Sequence, residues 1–485
     1  MLAPLGIPAG GVAGVAVSGL ALDSRTVRPG DLFLACVGSR RHGLEYLAEA
    51  MARGAVGVLW EPEPGVAPPS ANLPAQPVEG LGRRLGEIAD RFFGEPSRRL
   101  RVIGVTGTDG KSSCAHFIAQ ALDGEAGRCG VIGTLGHGFP DHLSPSSHTT
   151  PDPVRLQRLL AEMVDVGATH VAMEVSSHAL DQGRVNGVRF HAALLTNLTR
   201  DHLDYHGDVT AYHETKRRLF RWPGLALRVI DLEEENARPW MEEAGPPLLG
   251  YGLARHGWQG DAVIGHDLRA GADGLRLRME TPLGERELRL RLLGRFNALN
   301  ALGVAAVLLG MGLGLDEVVE SLQRLHTVPG RMEHFGGGDR PLVVVDYAHT
   351  PEALRQALSA LREHTTGRLW CLFGAGGDRD RGKRPLMGEA AEALADRLVV
   401  TDDNPRSEDP AAIVADILAG MQRPERVVVE HDRARALALV LEEARPGDTV
   451  LVAGKGHEEY QVIGDRRLPL SDRQLVSAWL AERAS

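Results

Sequence analysis

Cysteine is scarce in this chain: four residues in 485, Cys36, Cys114, Cys129 and Cys371, with no Cys-x-x-Cys pair. That spacing excludes a disulfide framework and a zinc knuckle and fits a reduced, cytoplasmic protein. Positive charge is not in excess either. A net charge of -10 argues against broad binding to nucleic acid or anionic membrane, while leaving room for a local basic pocket. No apolar run reaches a membrane-spanning length. The uncharged stretch from Leu2 to Leu22 lacks a basic start and is broken by Pro4, Pro8 and several glycines, so it reads as the first strands and turns of a domain, not as a signal peptide. What remains is ordinary globular composition, 43% hydrophobic and 24% charged, in a chain long enough for about three domains.

What the chain does carry is a glycine-rich turn between two apolar stretches. A β-branched run, Val102-Ile103-Gly104-Val105-Thr106, leads into Gly107-Thr108-Asp109-Gly110-Lys111-Ser112-Ser113, and an apolar-periodic stretch runs from Cys114 to Leu122. This is the strand, loop and helix order of a phosphate-binding loop. Glycines let backbone N–H groups converge on phosphate oxygens, and the helix N-terminus adds positive potential. Lys111 reaches the terminal phosphates, and Ser112 offers a hydroxyl to Mg²⁺. The usual spacing asks for glycine where Val105 stands, so the loop is a variant. An ordinary turn before a helix is the plainer alternative.

Breaks in the pattern divide the chain into three. Residues 1–98 hold short apolar runs, Val15-Ala16-Val17, Leu20-Ala21-Leu22, Leu32–Ala35 and Val56–Leu59. Helical periods cover Leu44–Arg53 and Leu81–Phe93, and a Pro-rich loop runs from Glu61 to Pro77. Residues 99–330 alternate strands and helices, which predicts a parallel sheet wrapped by helices. The stretch 225–292 differs. Leu275-Arg276-Leu277-Arg278-Met279 and Leu288-Arg289-Leu290-Arg291-Leu292 predict antiparallel hairpins with one wet face, and a helical region follows from Asn297 to Leu325. Residues 331–485 form a second α/β unit through Leu342–Asp346, Leu369–Phe373, Leu398–Val400 and Thr449–Val452. The expected class is α/β in three domains, with a P-loop-type parallel sheet in the centre and a Rossmann-like domain at the C-terminus. Ligands of such sheets sit beyond the carboxyl ends of the strands.

The residues after each apolar run are therefore the ones to examine. Glu174 ends Val171-Ala172-Met173 and is the natural Mg²⁺ ligand beside a phosphate loop, with His202 a second candidate. An isolated histidine, His202 or His178, is more often a hydrogen-bonded core residue. Lys216 is less ordinary. Helical spacing sets Tyr212, Lys216 and Phe220 on one face, which turns the lysine inward. A desolvated lysine has a lowered pKa and becomes a neutral nucleophile that carbon dioxide converts to a carbamate. A snorkelling lysine is the plain reading. In the last segment four polar clusters follow four strands: Asp346–Pro351, Gly374–Arg381, Asp402–Arg406 and Gly454–Glu458. Together they describe a pocket of both charge signs, suited to an amino acid.

With these motifs in this order, essentially the whole chain resembles the Mur ligases. The matching stretches include Gly107–Ser113, Thr149-Thr150-Pro151-Asp152, Glu174–His178, Asn197–Gly207, Tyr212–Phe220, Gly294–Asn297, Gly330–Glu333, Asp346–Pro351, Gly377–Pro385, Asp403–Arg406 and Gly454–Glu458. The resemblance implies a domain for the uridine-nucleotide-linked muramoyl substrate (1–98), an ATP-binding catalytic domain (99–330) and an amino-acid domain (331–485). It implies ATP-dependent amide formation through an acyl phosphate, in cytoplasmic peptidoglycan synthesis and so in cell shape and division. The partners implied are a UDP-N-acetylmuramoyl dipeptide, ATP with Mg²⁺, and meso-diaminopimelate, on a monomer without nucleic acid or membrane insertion. By the same resemblance Ser24 contacts the uridine nucleotide, while Thr149, Thr150, Ser176, Gln182 and Arg184 hold the muramoyl dipeptide. Ser112, Glu174, His202 and a carbamylated Lys216 form the metal region, with Lys111, Glu174, His202 and Lys216 serving catalysis. The loop residues Gly107–Ser113, with Asn297, Arg331, Asp346 and His349, bind ATP. Arg379, Asp403, Asn404, Pro405, Arg406, Gly454 and Glu458 bind the amino acid. Asp109 and Ser112 stand where the family usually has Asn and Thr; the hydroxyl is kept, and Asp109 brings a negative charge towards the triphosphate.

Asp403-Asn404-Pro405-Arg406 looks like the diaminopimelate form of the specificity motif. Arg406 would grip the distal carboxylate in a fork, Arg379 would add a second cation, and Glu458 would take the distal ammonium. Lysine would leave Arg406 facing an empty site, which rejects an analogue strongly. The rival readings are the same ligation with L-lysine, a folylpolyglutamate synthase-like ligase, and a nucleotide-binding module without turnover.

Overall fold

The computed structural model describes residues 5–8, 10–38, 41–69, 73–124, 127–146, 148–271 and 274–483. They form two compact units, 1–249 and 250–485. Residues 2–4 and 9 of the opening stretch and 70–72 of the Pro-rich loop lie outside the described residues.

The first unit holds two sheets. The smaller one is parallel, in the order Gly19–Ala21, Asp31–Ala35, Gly57–Trp60, Ala75–Pro77. It corrects two expectations. Val15-Ala16-Val17 is not a strand: the run is short, lies between Gly14 and Gly19, and packs from outside on the core of Leu20, Leu32 and Leu59. The Pro-rich loop ends in a strand, Ala75–Pro77, whose pairing to Gly57–Trp60 local composition does not announce. The expected helix over 44–53 starts as a 3₁₀ turn, Gly43–Tyr46, before Leu47–Ala52.

The larger array runs Leu227–Asp231, Phe190–Leu195, Arg101–Thr106, Ala168–Glu174, Arg128–Gly133, Gly136–Phe139, His142–Ser144. Its first five strands are parallel, and the last two turn back antiparallel. Leu227–Asp231 therefore belongs to the parallel part, although antiparallel hairpins were expected from residue 225. All five of its residues are buried, the mark of a strand covered on both faces. The strand feeding the phosphate loop lies between the strands that end in Glu174 and Leu195. Three strand ends thus open on one place.

In the second unit Ala262–Gly271, Gly274–Thr281 and Gly284–Leu290 form the expected antiparallel ladder. Leu275, Leu277 and Met279 are buried while Arg276 and Arg278 are exposed, as period-two alternation requires. The helical region divides into Arg295–Gly310 and Leu315–Gln323, with Gly312 at φ 96° and Gly314 between them. The C-terminal sheet has the order Glu333–Gly336, Leu342–Asp346, Thr449–Ala453, Leu369–Phe373, Arg397–Val400, Val428–Val429, antiparallel only at its first pair. Val343, Val345, Leu372 and Val452 pack on one face, and Val344, Cys371, Phe373 and Leu451 on the other. Burial on both faces explains why these strands read as unbroken apolar runs.

Candidate active site

In the first unit Gly107 opens the loop at φ 146°, where a Cβ would overlap Thr196 Oγ1. Only glycine suits that backbone. Asn197 holds the loop from the neighbouring strand end: its Oδ1 accepts from the N–H groups of Thr108 (3.2 Å) and Asp109 (2.9 Å). Thr196 Oγ1 donates to the Asp109 carbonyl at 2.5 Å. The Asp109 residue is exposed. The helix Lys111–Leu122 starts at the loop's end. Lys111 Nζ folds back to the carbonyls of Gly107 (3.0 Å) and Thr108 (2.7 Å). Ser112 Oγ donates to Glu174 Oε1 at 2.9 Å.

Glu174 is 1% exposed and also accepts from Thr134, from its N–H at 2.7 Å and its hydroxyl at 3.1 Å. Thr134 was not among the expected residues, yet it joins Glu174 to Thr149, Oγ1 to Oγ1 at 3.0 Å. The muramoyl-dipeptide candidates then form one network. Thr150 Oγ1 donates to the Glu174 carbonyl (2.9 Å) and accepts from the Ser176 N–H (3.2 Å). Arg184 donates to the Thr150 carbonyl (3.0 Å) and to Gln182 Oε1 (2.9 Å through Nε). Burial lowers the pKa of Arg184.

Lys216 is 1% exposed, on the helix Val209–Arg217; Phe220 follows in a 3₁₀ turn and is also buried. Lys216 Nζ donates to the Gly107 carbonyl at 2.7 Å and lies 4.6 Å from the Tyr212 ring centroid. Its pKa is held well below the ordinary lysine range, first by burial and then by the Lys111 charge, with Asp201 and Asp109 opposing. His202 sits apart from Glu174 in bonding. It occupies a left-handed backbone (φ 51°), contacts Asp201 at 3.3 Å and packs edge-on to His178 at 4.8 Å. Among the described residues no three His, Cys, Asp or Glu side chains gather to hold a metal. The Ser112 hydroxyl and Glu174 carboxylate are nevertheless hard oxygen donors at the loop's end, which suits Mg²⁺. Ser24 is buried, and its hydroxyl is engaged with Glu49 Oε2 at 2.7 Å, not presented to solvent.

In the second unit the four polar clusters follow four parallel strands whose registers align Asp346 with Ala453, Leu372 with Val452 and Phe373 with Val400. Asp346 accepts from the N–H groups of Met332 and Ala348, each at 2.8 Å; burial raises its pKa against the pull of Arg331. Arg331 lies 4.8 Å from the Tyr347 ring and His457 packs at 5.3 Å from it. Arg331 Nε and His457 Nδ1 are buried without a hydrogen-bond partner among the described residues, so polar capacity is left for a ligand. His349 is exposed, its Nδ1 at 2.8 Å from the Tyr347 carbonyl oxygen. Asn297 is buried, and its amide is used within the fold by Leu293 and Asn300.

Asn404 and Glu458 meet at 2.9 Å, and Lys455, fully buried and not foreseen, ties them together at 3.2 and 2.8 Å. Arg406 adopts φ 54°, pinned by its N–H to the Val462 carbonyl (3.0 Å) and by the Gly464 N–H on its own carbonyl (2.7 Å). Such strain in a non-glycine residue costs about 1–3 kcal/mol and concentrates at functional sites. One guanidinium nitrogen donates to the Gly377 carbonyl at 2.6 Å. Gly377 has no room for a Cβ, which would overlap the Pro405 carbonyl; a Cβ on Gly376 would stand 2.9 Å from Arg406 Nη1 and 3.7 Å from Arg379 Cγ. Both arginines therefore pass over one glycine turn. Asp403 is buried, and a Cβ on Gly454 would come 2.5 Å from its Oδ2.

A glycine loop with an inward lysine in one unit, and a two-signed cluster of strand ends in the other, define a nucleotide-using ligase class. Residues 16–93 match the Mur ligase family catalytic domain, 105–308 the Mur ligase middle domain and 330–456 the Mur ligase glutamate ligase domain. The chain belongs to the Mur ligase family. The UDP-N-acetylmuramoyl-L-alanyl-D-glutamate–2,6-diaminopimelate ligase of Alkalilimnicola ehrlichii is 56% identical over 476 residues, covering 96% of this chain and 95% of that protein. The ligase of the same name from Ectopseudomonas mendocina is 52% identical over 480 residues, 97% of each. A solved structure of a ligase so named matches with a TM-score of 0.73 at 37% identity, covering 97% of this chain and 96% of that one.

Proposed function

We propose that this chain joins meso-diaminopimelate to the D-glutamate γ-carboxylate of UDP-N-acetylmuramoyl-L-alanyl-D-glutamate, with ATP converted to ADP and phosphate, in cytoplasmic peptidoglycan synthesis. The observation that carries the reading is Lys216, buried against the first carbonyl of a phosphate loop. A fold that merely bound a nucleotide would gain nothing from that desolvated amine.

The loop amides and Lys111 bind the ATP phosphates, and Lys111 exchanges its loop carbonyls for them. Arg331, Asp346, His349 and Asn297 are the further nucleotide-binding candidates that the family resemblance implies, and the Thr149, Thr150, Ser176, Gln182 and Arg184 network orients the dipeptide. Its carboxylate attacks the γ-phosphoryl group, ADP leaves, and an acyl phosphate forms. A carboxylate is a poor electrophile, and phosphorylation supplies the leaving group. The diaminopimelate amine then adds to the acyl carbon, and the tetrahedral adduct expels phosphate. Bound Mg²⁺ would neutralise phosphate charge; Ser112, Glu174 and His202 would serve it, and the Lys216 carbamate would help place a second Mg²⁺. The neutral Lys216 amine adds to carbon dioxide and releases one proton. Arg406, Arg379, Asn404, Asp403, Pro405, Gly454 and Glu458 hold the amino acid, and Ser24 lies in the uridine domain. The domain limits we assign are 1–98, 99–330 and 331–485. No helix of the described residues is long and apolar enough to cross a membrane.

Phosphate release from ATP with the UDP-muramoyl dipeptide tests the reading, with diaminopimelate, lysine and glutamate supplied in turn. Release with diaminopimelate alone is expected. Comparable turnover on lysine would overturn the specificity, and no turnover on any amino acid would leave a binding module.

A further inference from the structure

The antiparallel ladder of the second unit carries a feature that the ligase reaction does not use. Its registers set Arg269 opposite Arg276, and Arg276 opposite Arg289. Directly opposed residues share a face, so these arginines stand in a row across three strands, about 4.8 Å from one strand to the next. All are exposed. Like charges directly opposed destabilise a sheet. Neighbouring arginines are neutralised: Arg278 by Glu285 at 2.9 Å and Arg286 by Asp316 at 2.8 Å. Among the described residues only Arg289 of the row has a carboxylate, Glu287 at 3.5 Å, with both side chains over 60% exposed (62% and 64%). Arg269, Arg276 and the adjoining Arg291 make no ion pair among the described residues. These four arginines and Gln323 line an open cavity of about 470 Å³, a volume in the range of small-ligand sites.

We propose that this cavity binds a small multivalent phosphate anion: an oligophosphate, free or carried by a nucleoside. Guanidinium forks bind phosphate oxygens in pairs, and a row of them engages a chain of phosphoryl groups better than a single one. A net charge of -10 argues against a nucleic-acid track across the wider surface.

Calorimetric titration of the full chain tests this with three probes, sodium tripolyphosphate, ATP and UDP, each repeated in Lys111→Ala to remove the phosphate loop's contribution. Tripolyphosphate binding is expected to persist in Lys111→Ala and to weaken about tenfold or more in Arg276→Ser/Arg289→Ser. The Arg276→Lys/Arg289→Lys pair should fall between, and amide-ligase turnover should be unchanged in both pairs. Counting only the binding in Lys111→Ala that the Arg276→Ser/Arg289→Ser pair removes, tighter ATP or UDP than tripolyphosphate would assign a nucleoside-borne ligand; the reverse would assign the free anion. Loss of all binding in Lys111→Ala, or no effect of the arginine changes, would overturn the site. Equal competition by polyglutamate would overturn its phosphate selectivity.

Discussion

Lys216 in the first unit and Lys455 in the second are both lysines with almost no exposed surface, and they differ in what lies against the ammonium. Lys216 has a carbonyl and an aromatic face, with the Lys111 charge nearby. Lys455 has the Glu458 carboxylate at 2.8 Å and the Asn404 amide. Burial alone disfavours the charged form, and a carboxylate partner offsets that. On the proposed reading the first environment suits a reactive amine, while the second builds an ion pair that ties Asn404 to Glu458.

The sharpest way to break this contrast is Lys216→Arg. Arginine keeps the charge and cannot present a neutral amine, so turnover should drop by about a thousandfold, the scale of losing a charge-stabilising group. Degassing carbon dioxide from wild-type enzyme should lower its rate as well. Because folding depresses the Lys216 pKa, the unfolded chain binds more protons, so this residue's contribution to stability is lost as pH falls through the folded pKa. Turnover that depends on the neutral amine should weaken in the same direction.

Lys455→Met should act on stability instead. It strands Glu458 and should cost about 3 kcal/mol in urea unfolding, whereas Lys216→Met should cost little or stabilise the fold. Equal costs would erase the distinction. Next in size, Arg406→Ala should raise the diaminopimelate KM roughly a hundredfold while leaving the ATP KM nearly unchanged; an unaltered amino-acid KM would remove Arg406 from the site.

Asp90 is a buried carboxyl with no ion pair among the described residues, although the charges of Arg189, Arg91 and Arg98 act on it. It is 6% exposed, Oδ1 has no hydrogen bond among the described residues, and burial, helped by Glu95, pushes its pKa up to about 6. The folded state therefore holds its proton more tightly, and stability is lost as pH rises from 3.8 through about 6. Asp90→Asn should stabilise the fold by on the order of 1 kcal/mol at pH 7 and by nothing near pH 3.5. Smallest of all, Asp109→Asn should change turnover by less than about threefold, since the residue is exposed. Asp109 raises the Lys216 pKa, so its removal should shift the rising limb of the pH profile slightly downward.

The two sites were not equally legible. The phosphate loop is contiguous, so glycine spacing and strand–helix context revealed it together with Lys111 and Ser112. The inward face of Lys216 followed from helical period, since Tyr212 lies one turn away. Thr134 follows the Val131-Ile132 run and obeys the same strand-end rule that found Glu174; it was missed because nothing local marks a threonine as a bridge. Lys455 stood in a quoted motif, but its role depends on Asn404, fifty-one residues earlier in the chain.

By itself the sequence determined the α/β class, the position of the phosphate loop, the alternation of the hairpins and the residue types at each strand end. These follow from periods of two and 3.6 residues and from turn chemistry, which are local. Tertiary structure alone decided that Leu227–Asp231 joins the parallel array, that Ser24 turns to Glu49, that Lys455 clamps Asn404 to Glu458, and that three arginines stand in one row. Each depends on strand order, register or a partner distant in the chain, and a one-residue slip in register would send those side chains to the opposite face.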